Sequence, residues 1–195
     1  MKQRILLPLL CVGLLLSGCG EKTSNGAEIQ RQYGLIATAQ MEAEIVFHNG
    51  GEDRIFTVQC DYTPAESAMV VTGPETVAGV CATLTGEELT LTYDGESLSV
   101  GEMAGVNPLS ALPQLLHILA DGYLLEEGRQ TLEYVPCYRL VLDRSIGGET
   151  VVATVWIDEE TLLPRYAEFA VNGATNVSIN MLSFSCTLQE GATEE

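Results

Sequence analysis

Basic residues are scarce in this 195-residue chain. It has 9 lysines and arginines against 27 aspartates and glutamates, which gives a formal net charge of −18. Contacts between basic side chains and phosphates supply most of the non-specific affinity of proteins for nucleic acid, and basic segments are likewise what anionic lipid headgroups attract. The composition therefore excludes nucleic acid as a partner and gives the folded part no electrostatic affinity for an anionic membrane surface.

Residues typical of catalytic and metal sites are equally few. The two histidines, His48 and His117, are far apart in the sequence, and neither has a cysteine or carboxylate at metal-ligand spacing. The sequence contains no Gly-x-Ser-x-Gly motif and no phosphate-binding or dinucleotide-binding glycine loop. The adjacent acids at 87–88, 126–127 and 159–160 lie in predicted turns, where solvent exposure explains them better than an acid and base pair. We predict a protein that is not an enzyme and has no metal and no cofactor.

The N-terminal apolar run is too short to remain in a membrane as a helix. It follows Lys2 and Arg4 and spans residues 5–16, about a dozen residues against the roughly 20 that a hydrocarbon core requires. A positive start followed by an apolar run of this length is typical of a signal peptide.

The residues directly after this run, Leu16-Ser17-Gly18-Cys19, resemble the bacterial lipobox. In a lipobox, small residues precede a cysteine that is diacylated on sulfur and becomes the first residue after cleavage. The resemblance implies that residues 1–18 are removed and that Cys19 anchors the chain on the extracytoplasmic side of a bacterial membrane. Two or more acyl chains are enough to keep a protein stably attached to a bilayer. The alternative is an ordinary signal peptide cleaved near Gly18 or Gly20, with Cys19 an unmodified thiol.

Composition divides the rest of the chain into three parts. If residues 1–18 are cleaved off, the mature chain keeps 7 basic and 27 acidic residues and has a net charge of −20. Residues 19–26 are polar and glycine-rich after the cysteine, as in a flexible tether, and the seven residues after Cys19 reach about 25 Å at most. Residues 27–189 are long enough for a single domain with a sizeable core. We expect the acidic residues 190–195 to form a disordered tail.

Apolar periodicity predicts one helix followed mostly by strands. Residues 28–39 have apolar side chains at helical spacing, interrupted by Gly34. From Met41 the period changes to two, and Asn49-Gly50-Gly51 predicts a hairpin turn. Further strand patterns occur at 67–72, 79–85, 88–93 and 97–100 and, after a helical segment, at 131–143, 150–157, 164–171 and 176–188. Short turns between strands predict an antiparallel meander. The chain is therefore predicted to be mainly β with helices, with about nine to eleven strands.

The helical segment in the middle of the chain carries a stripe of leucines. We predict a helix over residues 108–121, with Asn107 as its cap and Pro108 in its first turn. Pro113 should kink this helix or split it in two. One continuous apolar stripe is formed by Leu109, Leu112, Leu115, Leu116 and Leu119.

The order of these elements resembles the bacterial lipoprotein-carrier fold. The similar features are a helix after the tether, a first strand that alternates glutamate with apolar residues, a long meander, an apolar helix, and closing strands that contain Trp156-Ile157-Asp158 and Leu163-Pro164. Locally, the run from Gly73-Pro74-Glu75 to residue 95 is similar to one in lipoproteins of this type. The resemblance covers most of residues 28–186. It implies a strongly curved antiparallel sheet, an incomplete barrel with helices on its concave face, and space between them for acyl chains.

Two functions fit this fold, and they require different interiors. The first is a binding module that holds a lipid or acyl chain between the sheet and the five leucines of the stripe. The second is a structural or regulatory lipoprotein with a filled core and an envelope protein as its partner. The resemblance favours the first. We predict that Trp156 packs as an ordinary strand residue and does not stack on a ligand. Every second residue from 151 to 157 is apolar, and Trp156 lies on the opposite face of the same strand.

The folded part contains four cysteines: Cys60, Cys81, Cys137 and Cys186. An even number in an exported protein permits disulfides, with three possible complete pairings. Buried free thiols are the alternative. We predict at least one bridge.

The lipobox leads to a testable prediction. Substitution Cys19→Ala should abolish lipid modification and leave an unprocessed precursor or a released protein. Intact mass measurement of the wild-type chain should find a mature N-terminus at Cys19 with added acyl mass. A mature chain that begins at any other residue and carries no acyl mass would contradict the lipoprotein interpretation.

Overall fold

A computed structural model describes residues 25–102 and 105–189. The predicted signal peptide, Cys19 and the tail 190–195 lie outside these ranges. Residues 25 and 26, assigned to the tether from the sequence, form the start of the first helix instead. Gly26 is buried there, and its backbone N–H donates to Glu127 Oε2 at 2.8 Å. Neither helix in the described ranges has the length and apolar character that crossing a membrane requires.

The described residues form two helices and eleven strands. In chain order they are α1 (Asn25–Tyr33), β1 (Ile36–Asn49), β2 (Glu52–Tyr62), β3 (Glu66–Gly73), β4 (Cys81–Thr85), β5 (Glu88–Tyr93), β6 (Glu96–Glu102), α2 (Ala111–Asp121), β7 (Tyr123–Leu132), β8 (Val135–Ile146), β9 (Glu149–Asp158), β10 (Pro164–Val171) and β11 (Ala174–Leu188). The strands form a single antiparallel sheet in the order β6-β5-β4-β3-β2-β1-β11-β10-β9-β8-β7. Because β6 and β7 do not pair with each other, the sheet is open.

The sheet curves around α2. This helix packs against β1 and β2 and also against β8, which is separated from β1 by three strands in the sheet. A flat sheet could not reach both sides of one helix. Register shifts interrupt several strand pairs, including β1 with β11 at Glu42/Ala43 and β2 with β3 at Thr57/Val58. Such bulges increase local twist and bend the strand, so they contribute to the curvature.

Side-chain alternation places one apolar row of each central strand on the concave face. In β9 the row Val151, Ala153, Val155 and Ile157 is completely buried, as the sequence predicted. Across the sheet this row continues through Phe169 of β10 and its neighbours. Burial of one such large side chain contributes about 1.5–3 kcal/mol. The mainly β fold with an open curved sheet and helices on its concave face is confirmed.

Two element boundaries predicted from the sequence are wrong. The first helix ends at Tyr33, not at residue 39, and β1 begins at Ile36 because residues 36–39 pair with the end of β11. The second helix begins at Ala111, not at residue 108, and Pro113 does not split it, because the helix is continuous over Ala111–Asp121. Pro113 is its third residue, and the first backbone N–H groups of a helix have no intrahelical acceptor to lose.

The segment 131–143, predicted as one strand, contains the turn of a hairpin between β7 and β8. Strand β7 ends at Leu132, β8 begins at Val135, and these two residues pair across a two-residue turn. The turn residues Glu133 and Tyr134 have φ of 48° and 72°, as in the type I′ turns that normally use asparagine and glycine. The sequence signal for a hairpin is therefore missing at this position, and β7 was not predicted.

This strained turn leads to a prediction about stability. The double substitution Glu133→Asn with Tyr134→Gly should raise the free energy of unfolding by about 1 kcal/mol, because both residues then favour a positive φ. Tyr134 is 98% exposed, so no packing is lost. Urea unfolding measures the change. The control Tyr134→Ala removes the same side chain and keeps the unfavourable backbone; equal stabilisation by this control would contradict the explanation.

Candidate functional site

An apolar cavity of about 400 Å³ lies on the concave side of the sheet, within the size range of small-molecule sites. Its walls come from β1, β2, β3, β5 and β6 and from the two loops that precede β4 and α2. The lining residues are Phe47, Arg54, Phe56, Val71, Val77, Val80, Leu89, Leu91, Val100, Asn107, Pro108 and Leu109. Arg54 is the one charged residue among them.

The strand walls continue the apolar rows of the core. Phe47 follows the buried Ile45 on one face of β1, and Phe56 precedes the buried Val58 on the same face of β2. Phe47 and Phe56 are only partly buried, because α2 covers the parts of these two apolar rows that contain Ile45 and Val58 and the residues beyond them. The cavity therefore occupies the part of the concave face that the helix leaves uncovered.

Two loops shape the other walls. Before α2, the side-chain oxygen of Asn107 accepts hydrogen bonds from the backbone N–H groups of Leu109 (2.7 Å) and Ser110 (3.1 Å), so Asn107 caps this turn as predicted, although the helix begins only at Ala111. Between β3 and β4, the N–H groups of Gly79 and Val71 donate to the carbonyl oxygens of Val71 and Val80, respectively. These bonds fix the second loop beside the sheet.

The apolar surface extends beyond the cavity toward the edge strand β6. Tyr93, Leu98 and Val100 are 56%, 65% and 45% exposed. Leu98 pairs with Leu91 of the cavity wall, and directly opposite residues share a face of the sheet. The cavity is thus continuous with an exposed apolar rim.

Another depression, of about 520 Å³, is larger but more polar. It lies near the junction of β1, β2 and β11 and is lined by side chains that include Thr38, Gln40, Asp61, Glu66 and Thr187. Ligand sites are predominantly apolar with a few convergent polar groups. The smaller cavity matches that description more closely, because nearly all of its lining is apolar.

Only one of the five predicted leucines reaches the apolar cavity. Leu109 lines it and is partly buried. The other four are at most 1% exposed and belong to the packed core between α2 and the sheet: Leu112, Leu115, Leu116 and Leu119. The stripe therefore divides at the start of the helix, with its first member at the cavity and the rest in the core. Most of the cavity wall comes from strand residues, which the sequence predicted as strands without identifying them as ligand-binding residues.

All four cysteines are free in the structure, which corrects the predicted disulfide. They lie on four different strands, and no two of these strands are neighbours. Strands two apart are separated by about 9.5 Å, beyond the roughly 7 Å between Cα atoms that a disulfide can span. Cys60 and Cys137 are buried, and burial raises the pKa of the Cys60 thiol to about 12. Such thiols are unreactive at neutral pH.

Trp156 is a packed strand residue, as predicted. It is 9% exposed, its Nε1 donates to Gln130 Oε1 at 3.0 Å, and its ring contacts that of Tyr166 at a centroid distance of 5.4 Å. His117 is largely buried against Tyr62, and burial is the main reason that its pKa is lowered. Within the described ranges, no group of three or more histidine, cysteine, aspartate or glutamate residues could hold a metal ion.

One arrangement that the sequence did not indicate is a serine–histidine–aspartate chain. His48 Nδ1 lies 2.8 Å from Asp53 Oδ1, and its Nε2 lies 2.9 Å from Ser178 Oγ. A hydrolase needs an accessible nucleophile and free donors for the oxyanion. Ser178 is 5% exposed and sits inside β11, paired with both β1 and β10. We interpret these three side chains as a hydrogen-bond network that joins β2, β1 and β11.

Comparison with known proteins gives a likeness of fold. No family model matches the sequence, and no curated protein matches it. Among solved structures, a DUF1329 family protein from Desulfovibrio piger has a TM-score of 0.50 at 12% identity, over 83% of this chain and 91% of that one. An uncharacterized conserved protein from Thermus thermophilus has a TM-score of 0.50 at 13% identity, over 85% and 90%. A LolA superfamily protein from Nitrosomonas europaea has a TM-score of 0.46 at 13% identity, over 85% and 94%. At these identities the comparisons show a likeness of fold alone.

The division of the leucine stripe leads to a prediction. Leu112→Ala should lower the free energy of unfolding by about 2–5 kcal/mol, because it leaves a cavity in a packed core. Leu109→Ala should cost about 1 kcal/mol or less, because its side chain already borders open space. Urea unfolding of the two variants tests this difference. Equal losses would mean that Leu109 belongs to the filled core and that the cavity is smaller than described.

Proposed function

We propose that this protein is a lipid-anchored cell-envelope lipoprotein that binds an apolar ligand, a lipid or acyl chain, between its curved sheet and the segment before α2. The observation that carries this proposal is the apolar cavity of about 400 Å³, which is open to solvent and continuous with the rim of Tyr93, Leu98 and Val100. Of the twelve residues that line the cavity, Arg54 is the one with a charge. A polar ligand would therefore find few hydrogen-bond partners in the cavity walls.

The hydrophobic effect sets the scale of binding. Each methylene transferred from water contributes about 0.8 kcal/mol, so ten buried methylenes contribute about 8 kcal/mol. Loss of translational and rotational freedom costs about 4–15 kcal/mol and offsets much of this gain. A useful affinity therefore requires that most of one chain is buried, and the exposed rim provides additional apolar area for that chain.

The anchor and the cavity are separate in this proposal. Acylated Cys19 holds the protein at the membrane, residues 19–24 act as the tether, and α1 begins the folded domain. The ring contact of Tyr33 with Phe184 and the hydrogen bond from Tyr33 Oη to the carbonyl oxygen of Leu162 fix the far end of α1. None of these three residues lines the cavity, so anchoring does not require the ligand to be present.

An alternative function is a structural or regulatory lipoprotein with a protein partner. One observation favours it. The edge strand β7 exposes Tyr123 and Leu125, at 73% and 50%, beside unpaired backbone groups. Unpaired edges of this kind can accept a strand from another chain. In this alternative the concave side needs no ligand.

A pair of matched variants tests the binding proposal. Val80→Asp places a carboxylate in the cavity wall, whereas Val70→Asp makes the same change on the opposite face of β3, where Val70 is 38% exposed. The purified chain should bind a fluorescent fatty-acid probe, and Val80→Asp should weaken that binding at least tenfold. Val70→Asp should leave it unchanged. If the wild type binds no apolar probe, or both variants behave alike, the binding proposal fails and the protein-partner function takes its place.

A further inference from the structure

The arginines of this protein are almost all paired. The described residues include six arginines, in a chain where acidic residues outnumber basic ones by 27 to 9. Five of them form ion pairs: Arg31 with Glu28 (2.7 Å), Arg129 with Glu159 (3.4 Å), Arg139 with Glu126 (2.9 Å), Arg144 with Asp121 (2.7 Å) and Arg165 with Asp158 (3.6 Å). Arg54 is the exception, because its guanidinium forms no hydrogen bond or ion pair with any side chain in the described ranges.

Arg54 lies at the apolar cavity. It is the third residue of β2 and pairs with Phe47 of β1. It shares a face of the strand with Phe56, two residues further on, so its long side chain starts from the same wall as the two phenylalanines and is exposed at the mouth. The adjacent Asp53 points to the other face, where its carboxylate is hydrogen-bonded to His48 Nδ1 at 2.8 Å.

An unpaired guanidinium beside an apolar wall suits one kind of ligand. Arginine presents a planar fork of N–H donors that matches carboxylate and phosphate oxygens, and its hydrogen bonds to anions are stronger than those between neutral groups. The rest of the cavity lining carries no charge. A ligand that uses both features has an anionic head and an apolar tail.

We infer that the cavity binds a single-chain amphiphile with an anionic headgroup, its tail against the apolar walls and its carboxylate or phosphate on the guanidinium of Arg54. This inference rests on the proposed function and specifies its ligand class. The cavity volume of about 400 Å³ lies in the lower part of the roughly 300–1,000 Å³ range of small-molecule sites, which suits one apolar chain.

The test compares a fatty acid with the fatty alcohol of the same chain length, at pH 8 and low salt, by displacement of a neutral fluorescent apolar probe. The wild type should bind the acid at least tenfold more tightly than the alcohol. Arg54→Gln should abolish this preference and leave alcohol binding unchanged, while Arg54→Lys should retain part of it. Added salt should reduce the preference, because the headgroup contact is solvent-exposed. A single-chain lysophosphatidate assigns the preferred anion as phosphate if it binds more tightly than the acid, and as carboxylate if it does not.

Arg31→Gln is the matched control. It makes the same charge change on an exposed side chain of α1 and should keep the wild-type preference for the acid. Equal binding of acid and alcohol by the wild type, or an equal loss of preference in Arg31→Gln and Arg54→Gln, would overturn the inference while the proposed apolar binding stands. Binding of neither compound would overturn the proposed function itself.

Discussion

The fold depends on one contact, the burial of α2 against the concave face of the sheet. Four leucines of this helix are at most 1% exposed, and they pack on apolar rows from both halves of the sheet. Without that cover, one face of an eleven-stranded sheet would expose its apolar side chains to water. Helix α1 adds to the cover, because its Ile29 and Tyr33 are buried against α2 and neighbouring strands. The curvature of the sheet, the position of the loops and the place of the cavity all follow from this packing.

The cavity exists because the cover ends before the sheet does. Helix α2 begins at Ala111, and the preceding turn, fixed by Asn107, brings Leu109 to the cavity without filling it. The apolar rows of β1 and β2 continue past this point to Phe47 and Phe56. The core and the cavity are thus made from the same alternating rows of the strands. The position at which α2 begins determines where the packed core ends and the cavity starts.

The extent of helical cover is also why the sequence predicted the fold better than the site. Period-two alternation identified most of the strands, and the turn Asn49-Gly50-Gly51 located the first hairpin, where both glycines have positive φ. These are local signals that the chain itself carries. Which members of an apolar row meet the helix and which meet open space is a property of packing, so the sequence assigned all five leucines to one surface. Arg54 had no sequence signal at all, because its isolation depends on where the carboxylates of other strands lie.

The open order of the strands has a mechanical consequence. A closed barrel has a radius fixed by its strand number and shear, whereas this sheet ends at β6 on one side and at β7 on the other. Helix α2 packs on β1, β2 and β8, and β3, β4 and β5 add Met69, Val71, Ala82, Leu84 and Leu89 to the same buried core. The register shift at Thr57/Val58 is one place where β2 bends beside β3. Because β6 and β7 do not pair, closure does not fix the distance between these two edges, and the width of the interior follows from bends within the strands and from the packing beneath them.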